Sequence, residues 1–349
     1  MYLYQLEKSS KKYICPKCKK KRFVRYINME TKEYLHSEVG RCDREINCGY
    51  HYKPRDYFKD KNIQNKCNFT HRTITQKPVN KENTKPSSIK QEIMNASLKN
   101  YRNNNFIFYL KTLFTEVIVQ ELSKRFFIGT SKYWSGATVF WQIDEKYQIR
   151  SGKIILYNKY TGKRSGKINW VHKVLKYQNF NLKQCLFGLH QLPENQNKII
   201  GIVESEKTAI IMTGLTLSEK ILSNYIWLAT GSLSMLKPEL FRALKYKKIV
   251  LFPDLGIVKT GKGSPFDRWK AKLPELQEIT PYINISDLLE KKANKEQKEK
   301  GLDIADFVID ELKKKYISLN YLKNTYPKLQ KLIHKLDLQQ INSNFNTNS

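Results

Sequence analysis

The sequence contains no run of eighteen apolar residues, so no segment has the length and apolarity of a membrane-spanning helix. Its first residues, MYLYQLEKSSKKYICPKC, carry charges that interrupt every apolar stretch, which is not the pattern of a secretory signal peptide. No internal repeat is visible. The lack of a long apolar run and of a signal peptide excludes a membrane partner and predicts a cytoplasmic protein.

Acidic residues are scarce. The 349 residues, enough for two or three domains, include 63 Lys and Arg but only 32 Asp and Glu, a formal net charge of +31. Such an excess attracts phosphates and releases their counterions, so a nucleic-acid partner is the first explanation. A Lys-, Asn- and Ile-rich composition also arises in AT-rich genomes, which is the competing explanation.

Four of the six cysteines lie within the first 60 residues. In a reducing compartment metal ligation explains them better than disulfides, and the CPKC knuckle followed by RCDREINCGYH predicts a tetrahedral Zn²⁺ site of Cys15, Cys18, Cys42 and Cys48. The second pair is spaced Cys-x5-Cys, longer than usual, and His51 is an alternative ligand. Four unrelated buried thiols are the other interpretation. Cys67 and Cys185 stand alone and are expected to be structural.

Basic residues alternate with aromatic residues around the first knuckle. This pattern suits a nucleic-acid backbone with occasional base stacking and predicts contacts from Lys19, Lys20, Arg22 and Arg25. A solvated face on a protein-binding ribbon is the alternative.

Composition and the pattern of apolar residues predict six segments. They are a zinc ribbon over 1–60, a polar linker over 61–97, a strand-rich subdomain over 98–197, an α/β domain over 198–290, a helical segment over 291–338 and a disordered tail over 339–349. Within the α/β domain, continuously apolar strands alternate with helices, which indicates a parallel sheet.

Two acids follow strands of this sheet. Glu204 ends the strand KIIGIVE and Asp254 ends the strand KKIVLFPD, and sites of open parallel sheets form at the carboxyl ends of strands. Two carboxylates meeting there suit Mg²⁺ or Mn²⁺, and Glu204 could alternatively act as a general acid or base. The alternative is a purely structural role at a helix N-terminus capped by Ser205. The nearby GIVKTGKG has Gly263 where a P-loop needs a hydroxyl, so an NTPase is not expected.

The stretch 198–256 resembles the Toprim domain shared by primases, topoisomerases and some nucleases. IVESEKTA matches its strand that ends in Glu, WLATGSLS matches its Gly-rich turn, and FPDLG matches the start of its Asp-x-Asp motif. The sequence departs from the family at Gly256, which replaces the second aspartate. Asp267 is the candidate substitute ligand for Mg²⁺.

The flanking segments resemble bacterial primases. The order KRFFIGTSKYW, QIRSGKIILYN and LFGLHQL before the Toprim strand is that of primase cores, whose basic subdomain grips the template, and this implies contacts from Lys132, Arg150 and Lys153. LDIADFVID is similar to the DxxDYL segment that often follows Toprim in plasmid and phage primase-like proteins, and it draws attention to Asp303 and Asp306. The ribbon has four cysteines, unlike the Cys-His-Cys-Cys pattern usual in bacterial primases. The chain also resembles the family of Toprim-like zinc-ribbon proteins found on Bacteroidetes mobile elements.

The expected fold is therefore an α/β protein with a Toprim-type parallel sheet core, preceded by a small mixed α+β subdomain and an N-terminal zinc β-ribbon. The first functional hypothesis is a primase-like nucleotidyltransferase on single-stranded DNA, in which Glu204 and Asp254 organise the metal and nucleotide and Lys207 neutralises a phosphate. A replicative helicase or a mobilisation protein is a possible partner. An inactive Toprim DNA-binding accessory and a Toprim nuclease are the alternatives, whereas a topoisomerase is excluded by the short chain.

Overall fold

The computed structural model describes residues 3–7, 9, 11–44, 48–61, 85–258 and 263–325, with side chains through 314. The chain forms two compact units, residues 1–82 and 83–349. Within the described residues, no helix combines the length and apolarity needed to cross a membrane.

The first unit is a small antiparallel ribbon. Strand β3 is its centre and pairs with β1, β2 and β4, while β4 pairs in turn with β5. Its core holds Phe23 together with Cys15, Cys42 and Cys48, and little else is buried there. The elements are β1 (Tyr4–Leu6), β2 (Tyr13–Ile14), β3 (Lys21–Asn28), β4 (Gly40–Cys42), β5 (His51–Tyr52) and α1 (Pro54–Asp60).

The second unit begins with helices packed on an antiparallel sheet of order β6-β7-β8-β9. Asn104 starts α3 because its side chain accepts hydrogen bonds from the N–H groups of Phe106 and Ile107. The elements are α2 (Gln91–Ser97), α3 (Asn105–Leu113), α4 (Glu116–Arg125), β6 (Gly129–Thr130), β7 (Thr138–Ile143), β8 (Ile149–Tyr157), β9 (Arg164–Trp170) and α5 (Val171–Val174).

The expected linker over 61–97 is only partly described, because residues 62–84 lie outside the described part. Residues 85–97 are not a linker. They contain α2, and Ile89 and Met94 are buried in the same cluster as Trp141 and Ile154 of the antiparallel sheet. Two apolar side chains in a polar stretch are too few to create a periodic pattern, although they suffice to anchor one turn of helix.

The predicted α/β alternation is confirmed. Four parallel strands form a sheet of order β11-β10-β12-β13, in which Ile202 of β10 lies beside Leu228 of β11 and Leu251 of β12. The elements are β10 (Ile199–Val203), α6 (Glu206–Glu219), β11 (Tyr225–Ala229), α7 (Pro238–Phe241), β12 (Ile249–Leu251), α8 (Pro265–Lys270), α9 (Leu273–Gln277) and β13 (Ile283–Ile285). Strands covered on both faces must be apolar throughout, which explains the continuous apolar runs.

One apolar cluster joins the two sheets of the second unit. Phe140 and Tyr157 of the antiparallel sheet pack in the same cluster as Ile210 of α6 and Trp227 of β11. The other face of the parallel sheet is covered separately, by a cluster that includes Phe241 and Trp269. The strand-rich subdomain and the α/β domain therefore share a core, so the boundary predicted at residue 197 separates two sheets and not two cores.

The C-terminal segment contains α10 (Leu288–Lys292), α11 (Lys295–Lys300) and α12 (Ile304–Thr325). The last of these helices, α12, is continuous from Ile304 to Thr325. The predicted tail over 339–349 lies outside the described residues.

Candidate metal centres and nucleic-acid contacts

The four ribbon cysteines form a tetrahedral-type cluster. Their Sγ atoms all lie within 4.8 Å of one another, with Cys15 Sγ 3.6 Å from Cys48 Sγ and Cys18 Sγ 3.9 Å from Cys42 Sγ. Hydrogen bonding from the backbone of Lys20 lowers the pKa of Cys18 to about 6, which favours a thiolate. Burial raises the pKa of Cys42 to about 12, so a bound cation would be needed to keep that sulfur ionised.

The alternative ligand His51 is not part of this cluster. Its Nε2 is 2.9 Å from the hydroxyl of Tyr26, and its ring stacks on the Tyr26 ring. Four sulfurs at these separations match the closed donor set of a structural zinc site. The four cysteines therefore fit a structural zinc ion.

The predicted basic contacts of the ribbon fall into two groups. Lys19, Lys20 and Arg22 are exposed and available to a polyanion. Arg25 is half-buried, with its guanidinium 3.9 Å from the centre of the Tyr13 ring and 5.9 Å from that of Tyr34. Arg25 thus also packs the ribbon, because a flat cation stacks favourably on aromatic faces.

The two predicted acids follow neighbouring strands of the parallel sheet. Glu204 comes directly after β10, and Asp254 comes three residues after the last residue of β12. The carbonyl oxygen of Glu204 accepts a hydrogen bond from the N–H of Gly231, 2.9 Å away, which ties this residue to the turn after β11. Both acids therefore lie at the carboxyl edge of the sheet, as expected.

Both carboxyl groups are protonated more readily than in water. Burial raises the pKa of Glu204, although the Leu233 backbone and the charges of Arg164 and Arg268 oppose the rise. Burial also raises the pKa of Asp254 well above its usual value, and the negative charge of Glu204 adds to this. An edge that repels its own negative charge binds a cation favourably.

Two further acids, from the C-terminal segment, reach the same edge. Asp303 begins α12 by accepting the N–H of Asp306 at 2.9 Å, and its other oxygen accepts the hydroxyl of Thr208 at 2.6 Å. The charges of Asp303 and Asp306 both contribute to raising the pKa of Asp254. Tertiary structure thus places the acids of LDIADFVID beside those of the sheet.

Lys207 lies among these carboxylates. Its Nζ is 3.5 Å from Asp306 Oδ1 and 3.9 Å from Asp303 Oδ2. Burial alone would lower the pKa of Lys207, but the charges of Asp303 and Asp306 raise it overall. Lys207 is therefore a permanent cation at the acidic edge.

One observation tests directly whether this edge suits a hard divalent cation. Oδ1 of Asp254 is buried and accepts no hydrogen bond from any described residue. Burying a carboxylate oxygen without a partner is costly, and carboxylate oxygens are the ligands that Mg²⁺ and Mn²⁺ prefer. Glu204 and Asp254 are therefore the residues that could hold a divalent cation at this edge.

Asp267 does not complete this set. In the described part of the chain, the four cysteines are the only group of three or more Cys, His, Asp or Glu side chains whose ligand atoms all lie within 4.8 Å of one another. The Asp267 carboxylate instead closes the N-terminus of α8, where its Oδ2 accepts the N–H and the hydroxyl of Ser264 at 2.9 and 2.8 Å. These hydrogen bonds lower its pKa. The Ser-x-x-Asp spacing of a capping box is the local signal that identifies this role.

The position of the missing aspartate is sterically closed. A Cβ atom added to Gly256 would lie 2.9 Å from Cδ of Pro265 and 3.0 Å from its Cγ. The proline ring occupies the space into which an aspartate side chain would have to extend.

Three basic residues were predicted to grip a template, and the structure separates them. Lys132 is exposed. Arg150 is bound to Asp144, with its Nε and Nη2 at 2.7 and 2.6 Å from Oδ2. Lys153 is buried, and its Nζ contacts both carboxylate oxygens of Glu206 at 3.0 and 3.2 Å. Lys153 is thus unavailable to a nucleic-acid backbone, because its charge is already neutralised inside the protein.

The pair of Lys153 and Glu206 was missed from sequence, and so were the exposed Arg164 and Arg268, whose charges reach Glu204. Lys153 and Glu206 lie 53 positions apart, so no local spacing marks them. Glu206 is the first residue of α6, so its local setting indicates only a helix start.

Comparison with known proteins agrees with the two-unit organisation. Residues 2–63 match the family described as a zinc beta-ribbon finger, and residues 104–255 match a domain of unknown function (DUF6371). Among curated proteins, none matches the chain. The first unit is therefore similar to a zinc-ribbon family, and the segment similar to DUF6371 contains both Glu204 and Asp254.

Several solved primase structures are similar to the chain. A DnaG primase catalytic domain bound to ssDNA is 12% identical, with 64% of this chain and 83% of that chain covered and a TM-score of 0.36. For the E. coli primase catalytic core the values are 13%, 63%, 82% and 0.36. For the zinc-binding and RNA polymerase domains of Aquifex aeolicus primase they are 14%, 80%, 73% and 0.32. All three TM-scores are low.

Proposed function

We propose that the protein is a primase-like enzyme that binds single-stranded DNA and catalyses Mg²⁺- or Mn²⁺-dependent nucleotidyl transfer in the replication of a mobile element. The observation that carries the proposal is the buried, unpartnered Oδ1 of Asp254, which lies at the same sheet edge as Glu204. The order of segments around this edge resembles primases more than other Toprim enzymes. A replicative helicase or a mobilisation protein would then be a partner.

The reaction joins a hydroxyl oxygen to the α-phosphorus of a nucleotide and releases pyrophosphate, so it requires positioning and charge stabilisation above all. A divalent cation at Glu204 and Asp254 would supply Lewis-acid stabilisation of the phosphates. Arg164 and Arg268 are exposed, their charges act on Glu204, and they would bind phosphate oxygens of the nucleotide or template. Lys207 adds a fixed positive charge at the same edge.

The exposed cations suit the DNA. Lys19, Lys20 and Arg22 of the ribbon and Lys132 of the second unit would contact template phosphates, and their contribution should weaken as salt rises. Within the ribbon, Arg25 would act mainly by stacking.

The experiment is primer synthesis by the zinc-loaded chain on mixed-sequence single-stranded DNA with labelled nucleotides and Mg²⁺ or Mn²⁺. Glu204→Gln and Asp254→Asn remove one candidate ligand charge each at nearly constant volume. Lys272→Met is the matched control, because it removes an exposed cation paired with Glu275 on the surface. Products that vanish in both ligand variants and persist in the control would support the proposal.

A second function is favoured by one specific observation. With Pro265 filling the space beside Gly256, the edge lacks the second aspartate of the Toprim motif, as expected of an inactive DNA-binding accessory. Template binding without synthesis in either metal would select this alternative. Cleavage of a labelled strand without synthesis would select a nuclease instead.

A further inference from the structure

The turn between β8 and β9, residues 158–163, carries an exposed aromatic side chain beside a second exposed ring from α3. Tyr160 is 67% exposed and Phe108 is 43% exposed, and their ring centres lie 5.7 Å apart at an interplanar angle of 83°. The ammonium of Lys159 lies 4.9 Å from the centre of the Tyr160 ring and 5.4 Å from that of Phe108. Two rings from distant parts of the chain thus meet at the surface with a cation over both.

The turn that presents Tyr160 is held in place by hydrogen bonds and packing. The side chain of Asn158 accepts the N–H groups of Tyr160 and Thr161 at 2.9 and 3.0 Å. The N–H of Gly162 donates to the carbonyl oxygen of Asn158 at 3.0 Å. Gly162 has a φ of +61° and lies against the Tyr109 ring of α3, which leaves no space for a Cβ atom. A rigid turn presents the exposed ring, so ordering it for a ligand costs little entropy.

The segment around this turn carries positive charge only. From Lys146 to Pro193 the sequence contains no Asp or Glu, and Lys163, Arg164 and Lys167 are all exposed. A stable protein partner needs about 800 Å² of contact surface on each side, far more than two rings supply. Single-stranded nucleic acid instead needs spaced cations for its phosphates and aromatic rings for its bases. The charge and the rings together therefore fit a single strand.

The same turn is connected to the acidic edge by β8. Lys153 of this strand contacts the Glu206 carboxylate at the start of α6, and the strand ends four residues later at Tyr157, about 13 Å along. Arg164, the first residue of β9, follows the turn, and its charge opposes the rise in the pKa of Glu204. A strand bound at the turn would therefore pass the exposed Arg164 toward the edge.

We infer that the surface formed by Phe108, Lys159 and Tyr160 is a stacking site for a base of single-stranded DNA, with Lys159 and Lys163 on the flanking phosphates. The inference rests on the proposed function, because it takes single-stranded DNA as the partner. It adds a base contact, whereas Lys132 and the ribbon cations contact only phosphates. Every base has an aromatic face, so this site holds the strand without selecting a sequence.

Fluorescence anisotropy of the zinc-loaded full chain tests this with a labelled mixed-sequence single strand and an abasic strand of the same length. Tyr160→Ala should weaken binding of the base-containing strand at least about fivefold and leave binding of the abasic strand unchanged, because it removes a stacking ring and no charge. Tyr160→Phe should bind both strands as the wild type does. Lys159→Met should weaken both and reduce the slope of log affinity against log salt by about one.

Tyr246→Ala is the matched control, because Tyr246 is 65% exposed and the ammonium of the preceding Lys245 lies 4.8 Å from its ring centre. This variant should bind both strands like the wild type, and an effect equal to that of Tyr160→Ala would overturn the inference.

Two further outcomes separate this inference from the proposed function. If Tyr160→Ala with native circular dichroism binds the base-containing strand like the wild type, or weakens the abasic strand equally, the inference alone is overturned and primer synthesis still tests the proposed function. If the wild type binds neither strand, both are overturned.

Discussion

Replacing Lys153 should destabilise the second unit strongly. Its Nζ contacts Glu206 Oε1 at 3.0 Å, Oε2 at 3.2 Å and the carbonyl oxygen of Gly231 at 2.7 Å. The side chains of Lys153 and Glu206 are 8% and 2% exposed, so water cannot replace either partner. Gly231 is part of this arrangement, because it has a φ of +85° and an added Cβ would lie 3.1 Å from Glu206 Oε1.

Lys153→Met leaves a buried carboxylate without its counter-charge, which costs about 3–5 kcal/mol of unfolding free energy. The double variant Lys153→Met with Glu206→Leu removes both charges and leaves only the Gly231 carbonyl without its donor. The double variant should therefore lose only about 1 kcal/mol. The double variant should thus be more stable than Lys153→Met alone, although it carries one more substitution.

Urea unfolding followed by tryptophan fluorescence reports on this unit alone, because all five tryptophans belong to it: Trp134, Trp141, Trp170, Trp227 and Trp269. Lys272→Met is the matched control, since its exposed pair with Glu275 is worth at most about 1 kcal/mol. A single variant that loses less than about 1 kcal/mol, or a double variant as unstable as the single one, would refute the argument from buried charge.

Three other changes have definite expected outcomes. Cys15→Ser should abolish zinc retention and unfold the ribbon, measured by metal content and amide exchange, while the tryptophan transition stays unchanged; a ribbon that keeps its protection without zinc would contradict this. Gly256→Asp should cost about 1–3 kcal/mol through overpacking, and adding Pro265→Ala should restore most of it; an equal loss in both variants would contradict the steric reading. Asp254→Asn should stabilise the metal-free protein by about 1 kcal/mol or more at neutral pH. The pKa of Asp254 is raised in the folded state, so ionising this carboxyl lowers the unfolding free energy at pH values above that pKa. This loss disappears as the pH falls and the carboxyl is protonated, so the stabilisation by Asp254→Asn should vanish in acid. A stabilisation that urea titrations show to be independent of pH would contradict the argument.

Two features of the structure were predictable from local sequence patterns. Continuous apolar runs at the strands and alternating helices predicted the parallel sheet, and CPKC with the later pair of cysteines predicted the zinc cluster. Both signals are local, since they depend on side chains a few positions apart in an element or knuckle. The carboxyl edge of the sheet followed from the same pattern, and with it the placement of Glu204 and Asp254.

Other features had no local signal. A basic residue gives the same local signal whether it is exposed, as Lys132 is, or buried against an acid 53 positions away, as Lys153 is. Asp267 was expected as a substitute Mg²⁺ ligand, but its carboxylate caps its own helix. In the same way, a stretch with two apolar anchors was expected to be a linker.

The zinc ribbon, the parallel sheet and the strand ends at which acids occur could all be predicted from local patterns, because each depends on periodicity or short spacing along the chain. Tertiary packing settles which charges meet. It placed α12 so that Asp303 and Asp306 face Lys207, filled the space beside Gly256 with Pro265, and buried Lys153 against Glu206. The physical reason is that burial and pairing between distant segments depend on how elements pack, and a charged side chain carries no mark of its eventual partner.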